Sequence, residues 1–287
     1  MYLYVGSIQR RQGKWAESTA SLEKAVSLNP KVIWILQNLA FNYVALRDFE
    51  KAHKIIDRAL AFDPTALAVL EMNSKLAIRE KGDFSVAEKA FEAVKSAPLN
   101  DEQKIRVATA RTGVFLLERK YQEGLQQAES ISDDKLASFP DGLWSKYYYI
   151  GFARRALHDE PGAREAFQKA KSVAEEGVRR SPNFEDAHIQ LAKVLAYLGE
   201  REEAVAEAQR AAELLPESKD AYDGPEVMVG VAEIYTVLGN NDRAIQILDG
   251  LLSRPSSITV QSLKVNPIWD PLHADPAFQK LCEEKQK

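Results

Sequence analysis

The chain has a single cysteine, Cys282, among its 287 residues. One cysteine excludes an internal disulfide framework and a zinc site built from cysteines. No apolar run reaches the roughly 20 residues that a membrane-spanning helix needs. The opening stretch MYLYVGSIQRRQGKW is not a signal peptide, because its arginines follow the apolar residues instead of preceding them. These absences predict a soluble chain, and we expect it in the cytoplasm.

Neither sign of charge dominates the sequence. It carries 38 basic and 42 acidic residues, which gives a formal net charge of −4. No long run of one sign occurs, whereas proteins that bind nucleic acids or anionic membranes usually concentrate basic residues. We therefore predict no contact with nucleic acid and no membrane association.

Motifs that carry chemistry are missing as well. The four histidines are far apart, and there is no H-E-x-x-H, no P-loop, no G-x-G-x-x-G and no G-x-S-x-G. Adjacent carboxylates such as Glu202 and Glu203 lie on predicted helix surfaces. The sequence predicts that the chain is not an enzyme, with no catalytic residue, no metal site and no cofactor.

Glycine, small residues and proline recur in a fixed order along the chain. Four glycines are each followed by a small residue after five positions and by a proline after sixteen or seventeen. They are Gly13, Gly82, Gly199 and Gly239, followed by Ser18, Ala87, Ala204 and Ala244, and by Pro30, Pro98, Pro216 and Pro255. A glycine ends one helix in the left-handed conformation, and a proline ends the next. The small residue lets the two helices approach closely, so each unit is predicted to be a helical hairpin.

Residues 31–64 show the pattern most completely, with Arg47 in the glycine position. The matching residues are Leu36, Leu39, Ala40, Tyr43, Ala52, Ile56, Ala59 and Pro64. This unit resembles the tetratricopeptide repeat, whose pattern is W-x2-L-G-x2-Y, then A-x3-F, then P, over about 34 residues. The resemblance implies an all-α fold, an α-solenoid in which about seven hairpins form a right-handed superhelix.

The units divide the chain into a superhelix over residues 1–255 and a C-terminal cap over 256–287. We place the units near 1–30, 31–64, 65–99, 102–135, 143–182, 184–217 and 225–255. The third unit is irregular, because Ser74 and Lys75 stand where the family has Leu-Gly. One alternative interpretation is that the irregular region around residues 100–145 forms a small-molecule or catalytic site. In the cap, Asp275 and Pro276 predict a helix start, and Trp269 and Phe278 are expected to pack over the last hairpin.

In the tetratricopeptide repeat family the first helix of each hairpin lines the concave surface of the superhelix. Carried over by register, the resemblance implies a partner-binding groove of nine residues. They are Trp34, Gln37, Phe41, Met72, Tyr148, Phe152, Arg155, Lys193 and Tyr197. Aromatic and arginine side chains are frequent anchors at protein interfaces, so the expected partner is a protein or an extended peptide. The alternative is that Trp34 and Phe152 only pack between neighbouring helices.

A second, narrower resemblance concerns the stretches RRQGKWAESTASLEKAVSLNP and NPIWDPLHADPAFQKL. They are similar to the C-terminal repeat regions of bacterial signalling proteins of the serine/threonine kinase, winged-helix regulator or nucleotide-cyclase type. This resemblance implies a scaffold that forms the sensory or adaptor part of a larger signalling protein. The competing hypothesis is a self-association module, a homodimer that oligomerises an attached effector without a separate ligand.

Overall fold

A computed structural model describes residues 1–136 and 140–285 of the chain. Within these ranges every regular element is a helix, so the all-α solenoid of helical hairpins is confirmed. The hairpins, in chain order, are α1 (Tyr2–Arg11) with α2 (Trp15–Leu28), α3 (Ile33–Ala45) with α4 (Phe49–Phe62), α5 (Leu67–Lys81) with α6 (Ser85–Val94), α7 (Asp101–Leu117) with α8 (Tyr121–Glu129), α10 (Pro140–Ala156) with α11 (Glu160–Arg180), α12 (Glu185–Leu198) with α13 (Arg201–Leu214), and α14 (Gly224–Val237) with α15 (Asn241–Leu252). A short helix, α9 (Asp133–Leu136), follows the fourth hairpin.

The turn inside each hairpin has a residue in the left-handed conformation. Glycine takes this place in the first, third, sixth and seventh hairpins, at Gly13, Gly82, Gly199 and Gly239, with φ between 68° and 83°. In the remaining hairpins the residues are Arg47, Arg119 and His158, with φ of 57°, 60° and 63°. The left-handed conformation crowds the Cβ atom of any residue except glycine. These three side chains therefore sit at turns that cost free energy.

Small residues let the two helices of a hairpin touch. Ser18, Ala52 and Ala204 are fully buried where their hairpins cross. The Ser18 hydroxyl donates a hydrogen bond to the carbonyl of Gly6 at 2.7 Å. A Cβ atom on Gly151 would lie 2.7 Å from the ring of Phe167, so the fifth hairpin needs glycine at this position.

The hydrophobic core is interrupted between the third and fourth hairpins. One buried cluster runs through the first three hairpins, and a larger one joins the fifth to seventh hairpins with the C-terminal segment. Helix α7 packs mainly on α8 and α10 rather than on α5 and α6. Leu70, Ala90 and Val94 of α5 and α6 are buried and pack against Val107 of α7. Because hairpins in a solenoid are stabilised by their neighbours, this small contact makes the junction of the third and fourth hairpins a weak point of the stack.

The chain ends in α16 (Val260–Val265), a 3-10 helix (Pro267–Leu272) and α17 (Pro276–Glu284). The Asp275 carboxylate accepts a hydrogen bond from the Ala277 amide at 2.8 Å and so caps α17. Trp269 and Phe278 are 1% and 2% exposed and belong to the same buried cluster as Leu248 of α15. Both aromatic residues are therefore part of the core of the last hairpins.

The superhelix closes on itself, which the sequence did not predict. We call residues 251–270 the closing segment, since they contact the turns of the second to fourth hairpins. The Arg47 guanidinium donates hydrogen bonds to the carbonyls of Leu251, Arg254 and Ile258 at 3.0–3.2 Å and to the Ser256 hydroxyl at 3.0 Å. Three further contacts join the same parts of the chain. The Ser256 amide donates a hydrogen bond to the Ala45 carbonyl at 3.1 Å, the Thr259 hydroxyl donates one to the Arg79 carbonyl at 2.6 Å, and Arg119 forms an ion pair with Asp270 at 2.7 Å.

The linker between the sixth and seventh hairpins, residues 216–223, makes a second bridge to the first hairpin. The Ala221 amide donates to the Arg11 carbonyl at 2.8 Å, and the Arg11 guanidinium pairs with Asp223 at 2.9 Å and also with Asp220. The ring of Tyr222 lies beside the first hairpin and against α3. The first helices of the hairpins therefore surround an interior space instead of lining an open groove.

Candidate partner-binding surface

The second hairpin places its three predicted groove residues in different environments. Trp34, at the start of α3, is 59% exposed. Gln37 is buried, and Phe41 packs on Tyr222 with the ring centroids 6.3 Å apart. The start of α3 is thus open to a partner, whereas its end is covered by the linker.

Arg10 of α1 links the covered end of α3 to the linker, a role that no pattern in the sequence indicates. Its guanidinium lies 4.2 Å from the ring centroid of Tyr222 and donates to the Asn38 carbonyl at 3.1 Å and to the Asn42 side-chain oxygen at 3.2 Å. Burial lowers the pKa of Arg10. A buried arginine needs such partners because desolvation of a charge is costly. No local signal pairs Arg10 with a tyrosine 212 positions later in the sequence.

The third hairpin does not present Met72 to the interior. Met72 is 7% exposed and packs in the core of the first three hairpins. Its neighbour Lys75, on the same helix, does reach the interior space. Lys75, which departs from the repeat pattern of this hairpin, therefore faces the interior.

The predicted aromatic residues of the fifth and sixth hairpins form one cluster. The Tyr148 ring stacks on Trp144 at 4.7 Å, and the Tyr197 ring stacks on Phe167 at 4.6 Å. Tyr148 meets Tyr197 edge to face at 5.9 Å, and Phe152 meets Tyr197 at 6.2 Å. Burial raises the pKa of both tyrosines. These side chains join α10, α11 and α12. Phe152 thus packs between neighbouring helices, as expected if it does not bind a partner.

The two cationic residues of the predicted groove are also engaged within the chain. Arg155 is exposed, and its guanidinium lies 5.5 Å from the ring centroid of Tyr197. The Lys193 ammonium pairs with Glu233 of α14 at 2.5 Å. A partner that contacts Lys193 would have to compete with this ion pair.

The interior space, which we call the central cavity, has a volume of about 790 Å³. It is lined by α5, α12, α14 and the closing segment. Lys75 and Arg79 of α5 face it one helical turn apart, together with Lys193, Glu226 and Glu233. The Lys75 side chain is exposed to the cavity, and partial desolvation by the surrounding protein lowers the pKa of its ammonium group.

A second space lies at the break in the core. This apolar cleft, of about 830 Å³, is bordered by α5, α6, α7 and the start of α10. It falls in the region around residues 100–145 for which the sequence left a small-molecule site open. Its lining is mainly aliphatic and aromatic, with Leu70, Val94, Ile105 and Val114 as examples. The cleft therefore favours an apolar ligand rather than polar chemistry.

Two properties of the described residues bear on the class of function. Among residues 1–136 and 140–285, no three histidine, cysteine, aspartate or glutamate side chains are grouped so that they could hold a metal ion. None of the helices in these ranges is both long and apolar enough to cross a membrane. Helical repeat solenoids typically act by binding other molecules on their surfaces rather than by catalysis.

Comparisons with known proteins agree with this architecture. Residues 9–72 match the tetratricopeptide repeat family, and no curated protein matches the chain. A solved structure of a human IFIT1 dimer with m7Gppp-AAAA is similar, with a TM-score of 0.53 and 14% identity over 95% of this chain and 67% of that chain. Pseudomonas aeruginosa pilF has a TM-score of 0.43 and 17% identity over 87% of this chain and 95% of that chain. At these identities the likeness to IFIT1 shows the fold alone.

Proposed function

We propose that this solenoid, whose residues 9–72 are of the tetratricopeptide repeat type, is a protein-interaction scaffold that binds a segment of a partner protein around Trp34. The observation that carries the proposal is the 59% exposure of Trp34 at a groove position of α3. The other predicted aromatic residues pack on one another or on Tyr222. Trp34 is therefore the aromatic groove residue that remains open to a partner.

The surroundings of Trp34 suit an interface anchor. Tryptophan is among the residue types that contribute most binding free energy at protein interfaces. Val32, just before α3, is 45% exposed and extends the apolar surface. Ser7 of α1 lies against Asn38 of α3, with their side-chain oxygens 3.4 Å apart. Helices α1 and α3 therefore lie side by side near the anchor, so a bound segment would extend from α3 toward the first hairpin.

The wider context of this scaffold is also part of the proposal. The near-neutral charge favours a protein partner over a nucleic acid. The single cysteine suits a reducing cytoplasm. The C-terminal stretch NPIWDPLHADPAFQKL supports the sensory or adaptor part of a bacterial signalling protein as the setting in which the scaffold works.

Site-specific photo-crosslinking in cells of the source organism tests the proposal. A photoreactive phenylalanine analogue at position 34 should form a covalent adduct with a defined protein. The matched control places the analogue at position 62, because Phe62 is also exposed, at 43%, but lies on a second helix. Adducts of the same identity and yield at both positions, or at neither, would contradict the proposal.

Self-association is a second candidate, and a separate surface favours it. Tyr4 and Ile8 are 72% and 56% exposed and lie one turn apart on α1, with Val5 between them at 39%. This apolar stripe belongs to a first helix and does not include Trp34. Sedimentation velocity over a concentration series should show a dimer for the unmodified chain and a monomer for Tyr4→Glu/Ile8→Glu. A monomer for the unmodified chain at high concentration would exclude this candidate.

A further inference from the structure

We propose that the apolar cleft between the third and fourth hairpins binds a fatty acid with an alkyl chain of about twelve carbons, its carboxylate at Lys75 and Arg79 in the central cavity. The proposal goes beyond the protein-binding surface around Trp34 and concerns a different part of the molecule. It begins from the break in the core, where α7 packs only lightly on α6 and an apolar cleft lies between α5, α6 and α7. The cleft of about 830 Å³ lies within the 300–1,000 Å³ typical of small-molecule sites.

The hydrogen-bonding groups of the cleft favour a hydrocarbon chain over a peptide. The Ser74 hydroxyl donates to the Leu70 carbonyl of its own helix at 2.8 Å, and Arg106 and Glu71 bind each other in a two-pronged ion pair. The helices that form the walls use their backbone groups internally. An extended peptide would therefore bury amide groups with few partners, which is costly, whereas an alkyl chain has no such groups.

The anionic end of the ligand is indicated by the charges where the two spaces meet. Lys75, Ile78 and Leu117 border both the apolar cleft and the central cavity. Lys75 and Arg79 lie on one face of α5, and neither side chain has a hydrogen bond or an ion pair within the described part of the chain. By contrast, Lys193 in the same cavity pairs with Glu233.

The acidic groups near these two cations already have partners. Glu71 is bound by Arg106, and the Glu226 carboxylate accepts hydrogen bonds from the Ser257 amide and hydroxyl at 3.3 and 2.7 Å. Desolvation and then the nearby positive charge of Arg79 lower the pKa of Lys75, although its side chain is exposed to the cavity. A carboxylate at this junction would pair with a partly desolvated cation while its alkyl chain fills the apolar cleft.

Calorimetric titration of the full chain with dodecanoate, below its micelle concentration, tests the charged end. Dodecanoate should bind the unmodified chain, and Lys75→Gln should weaken binding about ten- to hundredfold, the effect of one charge-assisted hydrogen bond. The matched control is Lys81→Gln, because Lys81 is on the same helix with its side chain 68% exposed and paired with Glu80. Dodecanol, which has no charge, should bind the unmodified chain and Lys75→Gln equally. Dodecanoate binding that is absent, or unchanged in Lys75→Gln, would overturn the proposal.

A filling substitution tests the apolar end without altering charge. Ala110 of α7 lines the apolar cleft and is only half-buried, so Ala110→Trp places a large ring in the cleft. The control is Ala108→Trp, at a half-buried alanine of the same helix that does not border the cleft. With both variants shown by circular dichroism to be folded, Ala110→Trp should reduce dodecanoate binding at least tenfold and Ala108→Trp should not. Equal binding by both variants would place the ligand elsewhere and overturn the proposal.

Discussion

Glycine substitutions at the three strained turns distinguish two contributions to stability, the closing hydrogen bonds and the conformation of the turn itself. Arg47, Arg119 and His158 occupy equivalent positions with nearly equal φ values of 57°, 60° and 63°. Glycine relieves about 1–2 kcal/mol of crowding there but adds about 0.5–1 kcal/mol of unfolded-state flexibility. Each substitution should therefore gain about 0.5–1 kcal/mol from the backbone, and any difference among the three comes from their side chains.

The side chains differ in what they bind. Arg47 donates to four acceptors of the closing segment. At about 1 kcal/mol each, their loss outweighs the backbone gain and Arg47→Gly should lose about 3 kcal/mol of unfolding free energy. Arg119 donates to the Val265 carbonyl and to Asp270 at the surface. Such exposed contacts contribute about 0.5 kcal/mol each, so Arg119→Gly should be nearly neutral. His158 is exposed, so His158→Gly should be stabilising.

Urea unfolding followed by circular dichroism, under identical conditions for all three variants, measures these differences. The expected order of stability is His158→Gly above the unmodified chain, Arg119→Gly close to it, and Arg47→Gly well below it. If Arg47→Gly were as stable as His158→Gly, the hydrogen bonds of Arg47 would not contribute to closure. Closure of the superhelix would then have to be stabilised by other contacts of the closing segment.

Three further predictions concern other parts of the molecule. Trp269→Ala should cost about 3–5 kcal/mol in a thermal or urea unfolding measurement because Trp269 is 1% exposed, whereas Trp34→Ala should change stability by less than about 0.5 kcal/mol. Hydrogen bonds from Lys146 and Tyr147 lower the pKa of Asp133 from its usual 3.8. Its stabilising contribution should thus be present above pH 4 and lost as pH falls through the lowered value, and Asp133→Asn should flatten this part of the acid-unfolding profile. Burial raises the pKa of the Cys282 thiol, so a thiol reagent should label it quickly only after urea unfolding.

The local structure could be predicted from the sequence because it depends on short-range patterns. Glycine at Gly13 or Gly239 indicates a left-handed turn, and Ala52 or Ala204 indicates a close helix crossing. The sequence also predicted that Arg47 takes the glycine position of the second hairpin. Its binding of Leu251, more than two hundred positions away, was not, because closure depends on the sum of the angles between successive hairpins.

The candidate site was only partly predictable for the same reason. Register places Trp34, Phe41 and Tyr148 on first helices, but it cannot say what covers them. Tyr222 from the linker covers Phe41, and Trp144 and Tyr197 cover Tyr148. The sequence does indicate the break in the core beside Lys75, since Ser74 and Lys75 depart from the repeat pattern. The size of the resulting cleft depends on where α7 packs, which no local pattern specifies.

Hydrogen exchange at two backbone amides tests closure most directly. The Ser256 amide donates to the carbonyl of Ala45 and the Ala221 amide to that of Arg11, and both lie outside helices. In a closed superhelix these amides should exchange far more slowly than those of an unprotected loop, and Arg47→Gly should accelerate exchange at Ser256 more than at Ala221. Exchange of both amides at the rate of a free loop in the unmodified chain would contradict the closed superhelix and the central cavity that depends on it.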